Sequence, residues 1–83
     1  MTYSVYIIYS AFLDKYYVGY SEDTNQRLEQ HKSGISDFTA NANDWVLKYS
    51  EPFDTRTDAM KRETEIKKKK SRKYIEWLIS SFG

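Results

Sequence analysis

The chain has 83 residues, no cysteine, 13 basic and 12 acidic residues and a formal net charge of +1. That length predicts one small domain, residues 1–83, with a thin core that buries roughly 60–65% of the unfolded surface. The missing thiols exclude disulfides and thiolate metal sites and fit a reducing cytoplasm, and no run approaches the roughly 18 apolar residues of a membrane span.

The opening MTYSVYIIYS lacks a basic leader region, and tyrosines and serines interrupt it, so it does not read as a targeting segment. Tyr3 to Tyr9 alternates around β-branched and aromatic residues and predicts a strand. Ala11 to Asp14 reads as a short loop, and Lys15 to Tyr20 as a second strand pairing with the first in an antiparallel hairpin. Gly19 weakens that strand and marks close approach of backbone or ligand. Ser21, Asp23 and Thr24 are candidate caps for a helix from about Asn25 to Ser33, ended by Gly34. Ile35 to Asp44 is polar, lacks periodicity and reads as a loop. Trp45 to Tyr49 predicts a third strand, and Glu51 to Asp54, with the single proline Pro52, a turn. Thr55 or Thr57 caps a helix reaching about Lys69. Ser71 starts a last helix with Tyr74, Ile75, Trp77, Leu78 and Phe82 at helical spacing. The order β-β-α-β-α-α predicts an α+β fold, a three-stranded antiparallel sheet flanked by helices.

Charge is unevenly distributed. Lys61 to Lys73 holds eight basic and two acidic residues, a local +6, against −5 for the remainder. Such a patch predicts an anionic partner, phosphate first; the alternative is a solvated, lysine-rich helix face. Three further features sit awkwardly in a purely structural domain. Glu63 lies at i+4 from Ala59 and i−3 from Ile66, within the apolar stripe of its helix. A carboxylate there needs a compensating cation, either a metal ion or Lys67 four residues on. Arg27 and the only histidine, His31, are helical neighbours. They suit phosphate binding and proton transfer, or are two surface residues beside Leu28. Tyr6 shares a strand face with Ile8, and Tyr17 with Gly19, whose missing side chain leaves room for a ligand. Alternation alone does not say whether Tyr6 and Tyr17 face the same side. Together these residues supply a proton acceptor, a cation, a histidine and a carboxylate, the parts that phosphodiester hydrolysis needs.

Ser4-Val5-Tyr6 and Tyr17-Val18-Gly19, with ten residues between the two tyrosines, are followed by Arg27-Leu28-Glu29-Gln30-His31 and by the segment Ala59 to Lys67 around Glu63. In these blocks and their order the chain resembles the GIY-YIG nuclease superfamily, and its small stand-alone bacterial members of the UPF0213 type, from about Tyr3 to Ile79. Asp37-Phe38-Thr39 ahead of Trp45-Val46-Leu47 is similar to those small members. Ser4 replaces the first glycine, and no asparagine follows Glu63, where many nucleases of the family carry one. The resemblance implies a metal-dependent DNA endonuclease using one Mg2+ or Mn2+; with no recognition helix or reading module in these residues, selectivity for structure rather than sequence is expected. It implies that Tyr6 activates a water held by His31, Tyr17 positions water or phosphate, Arg27 stabilises phosphate charge and Glu63 binds the metal. Gly19, Lys61, Arg62, Lys67, Lys68, Lys69 and Lys70 are expected at the nucleic-acid face. A cytoplasmic protein away from membranes, with a protein partner supplying specificity, fits this reading; Phe53 and Trp77 would serve a dimer or only the core. The alternative is a non-catalytic nucleic-acid-binding module with the same fold, and a protein-interaction domain using the basic last helices comes third.

Overall fold

A computed structural model describes residues 2–22 and 42–82. The helix expected from Asn25 to Ser33 and most of the loop after it lie outside the described residues. The alternating N-terminal stretch forms β1 (Tyr3–Ser10), a turn carries the chain back, and β2 (Lys15–Ser21) pairs with it antiparallel. Asp14 closes that turn with a positive φ of 53°, a conformation that Asp tolerates better than most residues. The third strand, β3 (Val46–Phe53), pairs antiparallel with the other side of β1, giving the sheet order β2-β1-β3. With the two helices that follow, this is the α+β fold expected.

β3 runs further than the sequence suggested, because Glu51, Pro52 and Phe53 continue the strand instead of turning. Pro52 lies opposite Ser4. It is tolerated because β3 is an edge strand, where one missing N–H need not break a ladder on both sides. A bulge also interrupts the pairing: Ile7 faces Tyr49 and Ile8 faces Leu47, so Lys48 is skipped.

The bulge distributes β3 between two clusters. On one sheet face Val5, Ile7, Val18 and Tyr49 pack against Ala59, Ile66 and Leu78 of the helices. On the other, Tyr6, Ile8 and Trp45 form a second cluster with Leu13, Tyr17, Ala42 and Leu47 at its margin. Each fully buried Ile or Val contributes about 1.5–3 kcal/mol.

Helix α1 (Arg56–Lys69) is a polar helix with only Ala59 and Ile66 buried, so its ends matter more than its propensity. Thr55 is the N-cap, its hydroxyl accepting from the Asp58 N–H at 3.2 Å. Asp58 in the first turn and Lys67, Lys68 and Lys69 in the last complement the helix dipole. Lys70 ends the helix in the left-handed region, φ 46°. Helix α2 (Arg72–Phe82) begins at once, Ser71 Oγ accepting from the Tyr74 N–H at 3.2 Å. Leu78 is its fully buried residue, whereas Trp77 is 55% exposed and stacks on the Tyr74 ring at 5.9 Å.

Candidate active site

The two strands of the hairpin put their tyrosines on one face, which alternation could not decide. Tyr6 is paired with Gly19, and Ile8 with Tyr17, so the antiparallel register gathers all four on the side away from α1 and α2. The Tyr6 and Tyr17 ring centroids are 6.4 Å apart, tilted by 37°. Tyr6 is 1% exposed and walled by Ile8 and Trp45, while Tyr17 is half-buried at the margin.

Gly19 is what makes this arrangement fit. A Cβ at that position would stand 2.7 Å from Tyr6 Oη, 2.8 Å from its Cζ and 3.1 Å from Tyr17 Cε1. The space that the sequence reading left for a ligand beside Gly19 is therefore taken by the Tyr6 phenol.

Glu63 is where the helical spacing placed it, on the stripe between Ala59 and Ile66, with its side chain 18% exposed. Its carboxylate accepts from Lys67 Nζ at 3.0 Å. The Lys67 ammonium also lies 5.8 Å from the centroid of the Tyr17 ring, so Lys67 links the α1 carboxylate to the tyrosine pair. Of the two compensations open to Glu63, the described structure contains the ion pair.

Arg62, expected at the nucleic-acid face, is committed inside the fold. It donates to Glu51 Oε2 at 3.1 Å, Glu65 Oε2 at 3.1 Å and Tyr74 Oη at 3.3 Å. Burial works against its charge, but hydrogen bonds to Tyr74, Glu51, Tyr49 and Glu65 outweigh that and hold its pKa above the ordinary arginine range. Glu51 also accepts from Tyr49 Oη at 2.6 Å. The network ties β3, α1 and α2 together. Lys61, Lys67, Lys68, Lys69 and Lys70 are all exposed. Arg27 and His31 lie outside the described residues.

The hairpin turn is braced by residues that sequence reasoning did not single out. Buried Ser10 donates from Oγ to Asp44 Oδ1 at 2.6 Å, and the Phe12 N–H donates to Asp44 Oδ2 at 2.9 Å. Those two bonds hold the Asp44 carboxyl below its ordinary pKa. From the other side Arg72 donates to Asp14 Oδ1 at 2.7 Å and to its carbonyl at 3.1 Å, and Tyr9 Oη donates to Oδ1 at 2.5 Å. The Arg72 bond, with help from Tyr9, brings Asp14 down to about 2. No local signal announces such pairs, 34 and 58 residues apart.

A family model described as the GIY-YIG catalytic domain matches residues 2–75 of the chain. A UPF0213 protein of Halobacterium salinarum is 36% identical over 53 residues, which are 63% of this chain and 69% of that protein. A UPF0213 protein of Staphylococcus aureus is 40% identical over 52 residues, 61% of this chain and 63%, under two thirds, of that protein. The solution NMR structure of the UPF0213 protein BH0048 from Bacillus halodurans superposes with a TM-score of 0.59 at 31% identity, covering 96% of this chain and 84% of that one.

Proposed function

The chain belongs to the GIY-YIG family of catalytic domains, and on that premise we propose that it is a divalent-metal-dependent endonuclease that hydrolyses phosphodiester bonds in DNA. One observation carries the reading: the Tyr6–Gly19–Tyr17 constellation, linked through Lys67 to the Glu63 carboxylate. The donor set fits a hard cation such as Mg2+ or Mn2+. Glu63 offers one partly exposed carboxylate, and among the described residues no three His, Cys, Asp or Glu side chains gather into a cage. A single carboxylate, with waters and substrate phosphate for the rest, is an arrangement magnesium favours. Bound at Glu63, the ion would supply Lewis-acid stabilisation of charge on the phosphoryl and leaving oxygens.

The chain's own residues divide the remaining work. Tyr6, fixed by Gly19, Ile8 and Trp45, offers a rigid phenol oxygen that, as the phenolate, takes a proton from the attacking water and becomes the neutral phenol. Tyr17, at the margin of that cluster, positions the water or the phosphate. His31 holds the same water, and Arg27 balances charge on the phosphate, with two donors in one plane. The exposed lysines attract the backbone of any sequence, which favours flexible, branched or damaged DNA over a specific duplex site.

The Glu63–Lys67 ion pair favours a second reading, a nucleic-acid-binding module whose carboxylate is satisfied internally. The test is cleavage of single-stranded, duplex and branched DNA, with RNA as control, in Mg2+, Mn2+ or EDTA, by the wild type and Glu63→Ala. Metal-dependent cleavage of DNA that vanishes in the variant supports the enzyme. Salt-sensitive binding without cleavage by either protein replaces it with the binding module.

A further inference from the structure

A groove of about 380 Å³ runs between β2, the hairpin turn and the junction of α1 with α2. Half-buried Tyr16 and Ile75 give it apolar surface over the buried Val18 and Ile66, and Lys15, Lys67 and Lys70 stand around it. The one carboxylate among its described lining residues, Asp14, is neutralised by Arg72, whose guanidinium lies 5.2 Å from the Tyr16 ring centroid. The ammonium groups of Lys15 and Lys70 take no hydrogen-bond or ion-pair partner among the described residues. Among the described residues the groove therefore presents two uncommitted ammonium groups beside apolar surface, with a third, Lys67, shared with the candidate active site. Lys70 occupies a left-handed backbone position, φ 46°, where glycine is the cheaper residue.

We propose that this groove binds an unpaired nucleotide next to the scissile phosphate, its phosphate on Lys15 and Lys70 and its base against the apolar interior. Charge complementarity selects a phosphodiester, since the lining carboxylate, Asp14, is already paired. The apolar interior distinguishes a nucleotide from a bare phosphate, because a base has a face to bury. The volume suits one small ligand, not the width of a duplex. Lys67 joins the groove to the site, since its ammonium reaches Glu63 one turn away on α1 and the Tyr17 ring on the other face of β2. The basic run of α1 is thus divided: Lys67 and Lys70 line this groove, whereas Lys61 and Lys68 lie with Thr57, Met60 and Thr64 on another face of the helix.

The inference rests on the nucleic-acid reading but not on cleavage, so it is tested by binding in EDTA. Fluorescence anisotropy of a labelled single-stranded oligonucleotide is measured against salt for the wild type, a Lys15→Gln/Lys70→Gln pair, and a Lys48→Gln/Arg56→Gln pair of equal charge change that lies outside the Lys61–Lys73 patch. The groove pair is expected to lose roughly tenfold in affinity and to flatten the salt slope by about 1.4. The control pair is expected to change by less than about twofold, and wild type is expected to prefer single strands to blunt duplex. Equal losses in the two pairs, or a preference for duplex, would overturn the groove while leaving nucleic-acid binding intact. Absence of any binding by wild type would overturn the nucleic-acid reading and the groove with it.

Discussion

Gly19 and Tyr6 act as one unit, because the space of a missing side chain is filled by a phenol. Gly19→Ala brings a methyl within 2.7 Å of Tyr6 Oη, and a ring boxed in by Ile8 and Trp45 has little room to yield. Thermal or urea unfolding is expected to show a loss of about 1–3 kcal/mol. Activity should fall in the remaining folded fraction as the phenol is displaced. Lys67 sets a second residue-scale expectation. Its ammonium holds Glu63 at 3.0 Å but is itself 51% exposed, so the pair is worth little and a metal ion can displace it. Lys67→Met removes the competitor, and Mn2+ affinity by calorimetry, without DNA, should rise roughly two- to fivefold. Unchanged or weaker binding would mean that the ion does not use Glu63. At this scale the spacing from Ala59 to Ile66 made the position of Glu63 legible. Its occupancy by Lys67 was left open, because spacing does not weigh an ion pair against a metal.

The elements were legible where one physical signal dominates. Alternation marked β1 and β2, and Thr55 and Ser71 marked the helix starts through capping hydroxyls. The end of β3 was not legible, because Pro52 signals a turn unless the strand is known to lie at an edge, and edge position is a property of the sheet. The bulge at Lys48 was hidden for the same reason. Strict alternation puts Leu47 and Tyr49 on one face, yet they enter opposite clusters. Tyr6 and Tyr17 joined on one face only through hairpin register. Arg62 was expected to add attraction at the nucleic-acid face, and the sequence did not reveal that its acceptors come from β3 and α2 as well as from Glu65 on its own helix. Helix α1 meets the core through little more than Ala59 and Ile66, so Ile66→Ala should cost about 2–5 kcal/mol. Because Glu63 rides on the same helix, metal affinity should weaken alongside stability. A variant that unfolds at the wild-type midpoint would show that α1 is held by other means.

Over the whole molecule, two carboxylates lock the hairpin turn to distant segments, Asp44 to the approach to β3 and Asp14 to the start of α2. Both carboxyls are held below their ordinary value of 3.8 by hydrogen bonds, Asp14 down to about 2. The folded state therefore binds fewer protons than the unfolded one at low pH. The Asp14 contribution is complete above pH 3.8 and is lost as pH falls toward about 2, and the Asp44 contribution is likewise lost as pH falls below 3.8. Urea midpoints should drop over that interval, and the Asp14→Asn/Asp44→Asn pair should be less stable at neutral pH yet lose less on acidification. An acid dependence identical to wild type would show that the turn is held without them. At the same scale the family match over residues 2–75 and the superposed Bacillus halodurans structure support a fold shared along most of the chain. Among the described residues no helix is long and apolar enough to cross a membrane.

The proposed phosphodiesterase site depends most directly on Glu63 as its metal carboxylate. Single-turnover cleavage of a branched DNA in Mg2+ by wild type and Glu63→Gln, a substitution that keeps size and removes charge, tests it. Wild type should cleave, EDTA should abolish cleavage, and the variant should be slower by about a hundredfold or more while binding the DNA at least as well. Cleavage by Glu63→Gln at the wild-type rate would contradict the account.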